Sequence, residues 1–311
     1  MVHMQHNKPN PTSMKTAATP TNPSKKILIT GATGATGGNV LQELLKLNVP
    51  VRALVHSEDA RAEKLRAQGI EVVVGDLTDF DAVHAALEGI TGAYFVYPIQ
   101  SPGIVEATAF FAQAALEQGV GFIVNMSQIS ARRVAKSRAA RDHWISERLL
   151  DRSGIPVAHL RPTFFAEWLL YRTESIRKGV LALPFGEAHY APIAAEDQGR
   201  VIAAILNKPE GHAGKTYPLY GLEELTQHQT AAILSQVLER KVAYAPLEID
   251  DFAQGLKELG YSAHIQQHLA SVAQDCRDGV FSGMNDVVET ITGQKPLGMA
   301  EYVTKHKALF L

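Results

Sequence analysis

The fold of this chain is set by the stretch Ile27-Leu28-Ile29-Thr30-Gly31-Ala32-Thr33-Gly34-Ala35-Thr36-Gly37-Gly38. Its apolar start predicts a β-strand that breaks into glycines at every third position. The apolar residues that follow fall on one predicted helical face and are Val40, Leu41, Leu44, Leu45 and Leu47. A strand, a glycine turn and a helix offer backbone N–H groups and a positive helix end to a phosphate. Because glycine lacks a Cβ, a pyrophosphate can approach the backbone closely. The stretch therefore predicts a dinucleotide site.

The composition of the whole chain excludes several classes of protein. The 311 residues carry a formal net charge of −2, which gives no electrostatic case for nucleic acid or an anionic membrane as partner. A single cysteine, Cys276, excludes an internal disulfide framework and a cysteine-rich metal site, and fits a reducing compartment. No apolar run is long enough to cross a membrane. We therefore expect a cytoplasmic protein without a metal, and we expect no flavin.

Residues 1–24 and the region from Lys25 onward differ in pattern. The first 24 residues are polar and rich in Pro, Thr, Asn and Ser, which predicts a disordered tail. From Lys25, short β runs alternate with amphipathic helical patterns. The predicted strands are Lys26–Thr30, Val51–Val55, Glu71–Val74, Gly92–Tyr97, Gly121–Met126 and Val157–Leu160. The predicted helices between them are 38–47, 58–67, 79–88, 103–118 and 139–153.

This alternation predicts an α/β fold, a Rossmann-type doubly wound parallel sheet with its ligand at the carboxyl ends of the strands. Residues 25–164 would form the NAD(P)-binding domain, with 190–220 returning to it. Beyond Arg161 the alternation loosens, with a helical stretch at 165–177 and a mainly helical pattern over 225–311. Residues 165–311 would form mainly a smaller, mainly helical C-terminal substrate lobe over the strand ends.

The predicted strand ends carry candidate cofactor residues. NAD-specific sites usually place an acid after the second strand, but here His56 stands there, followed by Glu58, Asp59 and Arg61. An uncharged or basic strand end accepts a 2′-phosphate, so NADP is favoured over NAD, although the acidic pair is close. After the third strand, Asp76 is placed to accept a hydrogen bond from an adenine amino group, or its segment caps the following helix.

Ser127, at the end of the fifth strand, is the natural candidate for a hydroxyl near the nicotinamide; its alternative is a turn serine. The cofactor-binding set predicted in full shares these strand ends and comprises Gly31, Thr33, Gly34, Ala35, Thr36, Gly37, His56, Arg61, Asp76, Leu77, Tyr97, Pro98, Met126, Ser127, His143, Pro162, Phe164 and Phe165. His143 and Ser127 are also the predicted catalytic pair.

Several of these segments together resemble a known family. They are Ile29-Thr30-Gly31-Ala32-Thr33-Gly34-x-x-Gly37, Gly75-Asp76-Leu77, His143-Trp144-Ile145-Ser146-Glu147, Leu160-Arg161-Pro162-x-Phe164-Phe165, Ala195–Gly199 and Thr292–Pro296. Over roughly 25–311 the chain resembles the atypical short-chain dehydrogenase/reductases of the NmrA-like group. The resemblance implies a Rossmann domain that binds NAD(P) and a small substrate lobe. Members of that group include reductases of quinones, azo dyes and triphenylmethane dyes, and also regulators that sense the cofactor without catalysis.

Compared with ordinary short-chain dehydrogenases, the chain lacks their catalytic pair. Those enzymes use Tyr-x-x-x-Lys, often followed four residues later by a Glu that Glu147 matches. Counting back places His143 at the Lys position and Ala139 at the Tyr position. Without a phenol activated by a cation, interconversion of alcohol and ketone by that mechanism is disfavoured. Hydride delivery to a conjugated acceptor needs less help, because the acceptor delocalises the incoming charge.

Two residues of the predicted helix at 139–153 have competing interpretations. His143, titrating near pH 6.5 unless perturbed, can donate a proton or bond a cofactor ribose hydroxyl, or it is a helix histidine packed beneath Trp144 or facing solvent. Glu147 orients another group through a hydrogen bond, or it pairs with Arg148 or Arg152 on the helix surface.

Two further groups of residues frame the predicted substrate site. A basic run attracts an anionic substrate or the cofactor phosphates, or, as we favour, forms a solvated mobile loop; it comprises Arg132, Arg133, Lys136, Arg138 and Arg141. Aromatic residues past the sixth strand wall a flat pocket or pack between the lobes, namely Phe164, Phe165, Trp168, Tyr171 and Phe185. We expect Phe164 or Phe165 near the nicotinamide. The predicted substrate-binding residues are Gln128, Phe165, Trp168 and Tyr171.

The sequence thus predicts an NAD(P)H-dependent reductase of a quinone-like, dye-like or conjugated aromatic small molecule. The alternative is a non-catalytic NADP(H)-sensing regulator that binds a partner protein. A homo-oligomer is compatible with either.

Overall fold

A computed structural model describes residues 25–311. The predicted tail, 1–24, lies outside the described residues. The strands are β1 Ile27–Thr30, β2 Val51–Val55, β3 Glu71–Val74, β4 Gly92–Phe95, β5 Ile123–Met126, β6 Val157–Pro162, β7 Val180–Leu183, β8 His189–Tyr190, β9 Lys215–Leu219, β10 Leu225–Thr226 and β11 Ala243–Pro246. The α-helices are α1 Ala35–Lys46, α2 Ala60–Ala67, α3 Phe80–Ala86, α4 Ile104–Glu117, α5 Arg138–Asp151, α6 Thr173–Arg177, α7 Ala195–Asn207, α8 Gln227–Leu238, α9 Ile249–Glu258, α10 Ala263–Arg277, α11 Val287–Thr292, α12 Met299–Lys305 and α13 Lys307–Phe310.

Seven of these strands form one parallel sheet in the order β3-β2-β1-β4-β5-β6-β9. The order reverses direction between β1 and β4, which is the switch point where an open α/β sheet opens a crevice for its ligand. In register, Ile27 of β1 lies beside Val51 of β2 on one side and Gly92 of β4 on the other. The predicted doubly wound Rossmann-type sheet is confirmed.

Side chains alternate between the two faces of this sheet, so each face has its own core. Ile27 and Ile29 pack with α1, α2, α7 and α11 on one face. Leu28 packs with α3, α4 and Leu150 of α5 on the other face. Because both faces are covered, the inner strands β1, β2, β4, β5 and β6 are buried at almost every position, as parallel strands usually are.

The buried stripe of α1 differs from the predicted one. Leu45 and Leu47 are 37% and 48% exposed, whereas Thr36 and Gly37 are buried with Val40, Leu41 and Leu44. The helix turns by about 100° per residue, so a stripe that includes positions 36, 37, 40, 41 and 44 points Leu45 away from the sheet. The prediction that Leu45 and Leu47 share the buried face was wrong.

The remaining elements pack around a separate core. Residues from the end of β6 onward, α8, α10 and α12 contribute buried apolar side chains to it. Two small sheets lie here, β10 with β8 antiparallel and β11 with β7 parallel. The expected helix at 165–177 is a 3₁₀ helix, Ala166–Arg172, followed by α6. The strand β11 was missed within a stretch predicted to be mainly helical, although alternating buried Val242 and Tyr244 signal it.

The sequence from Lys215 to Leu219 extends the main sheet as β9, and α7 packs on α1 from the second half of the chain. Within residues 25–311, no helix is both long and apolar enough to cross a membrane.

Candidate functional site

The predicted cofactor residues lie where successive parallel strands end, because the carboxyl ends of parallel strands share one edge of the sheet. Gly31 follows β1, His56 follows β2 and Asp76 follows β3. Tyr97 follows β4 and Ser127 follows β5. Pro162, Phe164 and Phe165 stand at and just past the end of β6. The sheet therefore brings the segments carrying these residues to one edge.

The glycine turn is built from close backbone contacts. Gly31 has a φ of 62°, in the left-handed region that favours glycine, and its carbonyl accepts a hydrogen bond from the amide of Gly34 at 2.9 Å. A Cβ on Gly37 would lie 2.2 Å from the Gly31 carbonyl oxygen. Thr30 ties the turn to the neighbouring strand, since its hydroxyl donates to the Val96 carbonyl at 3.0 Å.

The first turn of α1 fits an anion. Gly34 occupies the N-cap without a side-chain hydrogen bond, and no acidic residue stands in the first turn. Within residues 25–311, the amides of this turn have no side-chain acceptor, and the helix dipole favours negative charge there. These features fit the pyrophosphate of a dinucleotide.

The acids after β2 are already engaged. The Asp59 carboxylate accepts from the amides of Arg61 and Ala62 as the N-cap of α2, and from the Arg61 guanidinium at 2.6 Å. Glu58 pairs with Arg66. His56, with 79% of its side chain exposed, is left at the strand end, and its Nδ1 lies 3.6 Å from the Asp76 carboxylate.

Hydrogen bonds within its own turn fix the side chain of Asp76. Its Oδ1 accepts hydrogen bonds from the amide and hydroxyl of Thr78 at 2.8 and 2.7 Å, and these bonds lower the pKa of the carboxyl. Asp79 caps α3 through the amide of Ala82. The cap belongs to Asp79, so the outer oxygen of Asp76 remains available at the crevice edge beside His56.

Ser127 and His143 are buried with unpaired polar atoms. Ser127 is 4% exposed and His143 is 5% exposed. Among residues 25–311, neither the Ser127 hydroxyl nor the His143 Nδ1 has a hydrogen-bond partner. Buried polar groups in proteins are normally satisfied, so these two orphans, one just past β5 and one on α5, fit a ligand that supplies the partners. Burial lowers the pKa of His143 to about 4, so the imidazole is neutral near pH 7.

Glu147 is neither exposed nor paired mainly on the helix surface. It is fully buried and holds Arg161 of β6 in a two-pronged bond, with Oε1 to Nε at 2.8 Å and Oε2 to Nη2 at 2.5 Å. Arg148 approaches only at 3.5 Å. The surface-pairing interpretation was wrong for this geometry, because the inward face of α5 turns Glu147 toward the sheet. Glu147 therefore fixes α5 against β6.

Arg132 is also not part of a free loop. Its guanidinium bonds Asp275 of α10 at 2.9 and 2.5 Å, and the Asp275 carboxylate is buried. The favoured interpretation of the basic run as a mobile solvated loop was wrong for this residue. The four other residues of the run are exposed as expected, namely Arg133, Lys136, Arg138 and Arg141.

The helix α10 clamps the N-terminus of α5 as well. The hydroxyl of Ser137, which caps α5, lies 2.8 Å from His268 Nδ1. The Gln267 side chain accepts from the amide of Arg138 and donates to the carbonyl of Lys136, at 3.0 and 2.9 Å. The segment between Ser127 and His143 is thus held by a helix far downstream.

A small pocket adjoins His143 and includes the position of the absent tyrosine. Its lining joins the β4 end, α5 and α10, and is formed by Tyr97, Pro98, Ile99, Ser101, Pro102, Ile104, Ala139, Asp142, His143 and His264. His264 contacts the Ile99 carbonyl through Nε2 at 3.2 Å. Sequence reasoning missed Asp142 and His264, and no local signal marks His264, because only the fold brings α10 here.

The aromatic residues after β6 divide between core and surface. Phe164 is 5% exposed and stacks on Phe281 with ring centroids 4.3 Å apart, so it takes the packing role. Trp168 meets Tyr171 edge-on at 6.0 Å, and Tyr171 is 71% exposed. Phe165 keeps partial exposure at the start of the 3₁₀ helix. Phe165 and Trp168 are the rings of this group that are half-buried.

Other predicted residues vary in accessibility. Met126 is buried, Gln128 accepts from the Ser130 hydroxyl at 2.6 Å, and Pro98 is exposed. Over residues 25–311, no group of three or more His, Cys, Asp or Glu side chains is arranged to hold a metal ion.

Comparison with known proteins identifies the family. A model of the NmrA-like family matches residues 23–304. The chain belongs to the NmrA-like family. A curated relative, the NAD(P)H azoreductase of Xenophilus azovorans, is 30% identical over 287 residues, covering 91% of this chain and 99% of the relative.

Solved structures agree with this assignment. The NmrA-like protein matches the NADPH-dependent quinone oxidoreductase QOR2 of Escherichia coli, complexed with NADPH, at a TM-score of 0.81 and 29% identity over 90% of this chain and 99% of that one. It also matches the Citrobacter sp. triphenylmethane reductase complexed with NADP(H), at a TM-score of 0.80 and 25% identity over 90% and 99%. The predicted family and the predicted enzyme class, an oxidoreductase, are confirmed.

Proposed function

We propose that this NmrA-like protein is an NADPH-dependent reductase that passes hydride to a quinone-like, dye-like or otherwise conjugated aromatic acceptor. The names of the relatives support this class of reaction, since they include an azoreductase, a quinone oxidoreductase and a triphenylmethane reductase. The observation that carries the proposal is the pocket beside His143, in which Ala139 stands where an ordinary short-chain dehydrogenase has its tyrosine.

The phenol present in this pocket is unsuited to replace that tyrosine. The Tyr97 hydroxyl donates to the Pro102 carbonyl at 3.0 Å. Burial first, then the charge of Asp76, raise the pKa of Tyr97, whereas a general acid for alcohol–ketone chemistry needs a phenol pKa lowered by a cation. An acceptor that delocalises the hydride's charge avoids that need.

The residues of this chain then act by binding and orientation. The amides at the start of α1 hold the pyrophosphate, and the Ser127 hydroxyl and His143 imidazole offer hydrogen bonds to the nicotinamide ribose or carboxamide. When bound, the reduced nicotinamide supplies the hydride. His143 is neutral near pH 7 and so serves as a hydrogen-bonding group, while solvent supplies the proton.

NADP is favoured over NAD by the surroundings of the β2 end. Asp59 and Glu58 are neutralised by Arg61 and Arg66, so neither acid is free to select a ribose 2′-hydroxyl. His56 and Arg61 stand where a 2′-phosphate would be expected. The quinone oxidoreductase and the triphenylmethane reductase named above are complexed with NADPH and NADP(H), and we assign no flavin.

The test measures oxidation of NADPH in the presence of menadione, azo dyes or triphenylmethane dyes, and the absorbance of the reduced nicotinamide monitors the reaction. We expect His143→Ala to lower kcat about tenfold, because the variant loses a group that positions the nicotinamide but takes no part in proton transfer. The affinity for NADPH should fall by a smaller factor. The matched control is His228→Gln on α8, whose side chain is 59% exposed and which should leave turnover unchanged. Absence of NADPH oxidation above background with every acceptor would contradict the proposal.

The absent tyrosine also suits the alternative, a cofactor sensor that binds a partner protein. A sensor would bind oxidised and reduced cofactor tightly without turnover, and a partner would be captured only in the presence of cofactor. Turnover at a rate usual for enzymes would exclude it.

A further inference from the structure

Arg172 is a partly buried cation without a counter-ion. It ends the 3₁₀ helix that carries Trp168 and Tyr171. Among residues 25–311, its side chain has neither a salt bridge nor a hydrogen bond, and its Nε is fully buried. By contrast, the partly buried Arg132 and Arg161 each hold a buried carboxylate.

One face of the Arg172 guanidinium is covered by an aromatic ring. Its central carbon lies 5.6 Å from the centroid of Phe252 on α9. Such stacking partly compensates a cation that has lost water, but it satisfies none of the N–H donors. The edge of the guanidinium therefore retains its planar set of donors, which matches a carboxylate or sulfonate.

The position of Arg172 relates it to the substrate side of the crevice. Burial is the larger influence on its pKa and lowers it, and the Tyr261 phenol, close enough to interact electrostatically, raises it. Tyr261 directly precedes Ser262, the cap of α10, and His264 in the next turn lines the pocket beside His143. Arg172 therefore interacts with the residue that precedes the α10 cap, and the same end of α10 contributes His264 to the pocket beside His143.

We propose that Arg172 binds an oxyanion substituent, a carboxylate or a sulfonate, on the aromatic acceptor, whose ring lies along Trp168 and Tyr171. The inference rests on the proposed reductase function and adds to it a class of substrate. The guanidinium supplies two parallel N–H donors to the oxyanion, and the substituent supplies the negative charge that Arg172 lacks within the described chain.

The test compares two quinones that share a ring system, menadione and 1,4-naphthoquinone-2-sulfonate, with the wild type and Arg172→Met. Methionine keeps the apolar stem on Phe252 and removes the charge. We expect the ratio of the KM for the sulfonate to the KM for menadione to rise about tenfold, as for loss of a charge-assisted bond. Arg172→Lys should recover part of the loss.

Arg177→Met is the matched control. Arg177 is exposed five residues later, and within residues 25–311 its side chain donates only to the Leu309 carbonyl, so both KM values should stay unchanged. A KM ratio that is the same in the wild type and Arg172→Met would overturn the proposal.

A binding measurement separates this inference from the reductase function. Calorimetry of naphthalene-2-sulfonate with the NADPH-loaded wild type and Arg172→Met requires no turnover. Binding that weakens about tenfold in the variant supports the anion site even if no quinone is reduced. Equal binding to both proteins refutes the site even if menadione is reduced.

Discussion

Two parts of the crevice are held in different ways. The glycine turn from Gly31 to Gly37 is closed by its own backbone, with Thr30 tying it to the adjacent strand β4. The segment from Ser127 to His143 is held by Asp275, His268 and Gln267 of α10, about 130 to 140 positions downstream. We therefore expect cofactor binding at the turn to be encoded locally, whereas the segment from Ser127 to His143 depends on α10 for its position.

The strongest way to separate the two parts is Gly37→Ala. Its new Cβ would lie 2.2 Å from the Gly31 carbonyl oxygen, and backbone atoms cannot give way cheaply. We expect NADPH affinity to fall on the order of 100-fold, as for a severe steric overlap. Titration of NADPH by fluorescence measures it, with circular dichroism to check folding.

Gly38→Ala is the neighbouring control. A Cβ there would meet the Ala32 carbonyl oxygen at 3.5 Å, an ordinary contact, so affinity should change little. Equal losses in the two variants would show that the turn is not the binding element.

The second part is tested by Asp275→Asn, which removes the charge that Arg132 bonds. We expect the free energy of unfolding to fall by about 1–2 kcal/mol, because Arg132 is 32% exposed and regains water. The local encoding of the turn predicts that NADPH affinity stays within about twofold while kcat falls several-fold. Urea denaturation and steady-state kinetics provide both quantities.

Asp278→Asn, one turn along at the exposed end of α10, should lower the free energy of unfolding and kcat much less than Asp275→Asn does, because Asp278 acts on Arg132 only through longer-range electrostatics. Loss of NADPH affinity in Asp275→Asn equal to its loss of kcat would break the comparison.

The features that could be predicted from the sequence are those closed by local contacts, and the features that were missed depend on distant residues. The turn, its flanking strand and helix, and the parallel sheet were predicted, because glycine spacing and hydrophobic periodicity act over a few residues. The Glu147–Arg161 pair and the Arg132–Asp275 pair were not, since a charged residue on a helix reads as a surface residue unless its distant partner is known. The exposed Leu45 was misassigned because a leucine does not reveal which edge of the helical stripe it occupies.

Low pH should destabilise mainly the segment from Ser127 to His143 and its contacts with α10. Burial lowers the pKa values of His143 and His268 from 6.5 to about 4. Between pH 4 and pH 6.5 the unfolded chain therefore binds more protons than the folded one. Stability is then fully present above pH 6.5 and declines as the pH falls toward 4. We expect Tm to drop by about 5 °C between pH 7 and pH 5.

His268→Asn should reduce that decline, because one of the two buried imidazoles is removed. Differential scanning calorimetry across the pH range measures the slope, and a Tm that is flat from pH 7 to 5 in the wild type would contradict the assignment.

The smallest expected effect concerns Arg61 at the cofactor edge. Arg61 is exposed and already paired with Asp59. Its attraction for a 2′-phosphate is therefore weakened, because Asp59 partly neutralises its charge and salt screens the rest. Arg61→Ala should weaken NADPH binding about threefold and leave NADH binding unchanged, as for an exposed ion pair. Parallel titrations with NADPH and NADH test this, and equal changes for the two cofactors would argue against a role in 2′-phosphate recognition.

The contact at Gly199 limits how the protein can be taken apart. A Cβ there would lie 2.5 Å from that of Asn39, so α7 presses its backbone against α1. The first amide of α7, at Ala195, is in turn capped by the Glu167 carboxylate beside the aromatic residues after β6. The segment from β1 to β6 therefore cannot be transferred to another protein without α7. A chimaera joined after β6 would separate α1 from the helix that supports it, so exchanges between relatives should keep both helices from one parent.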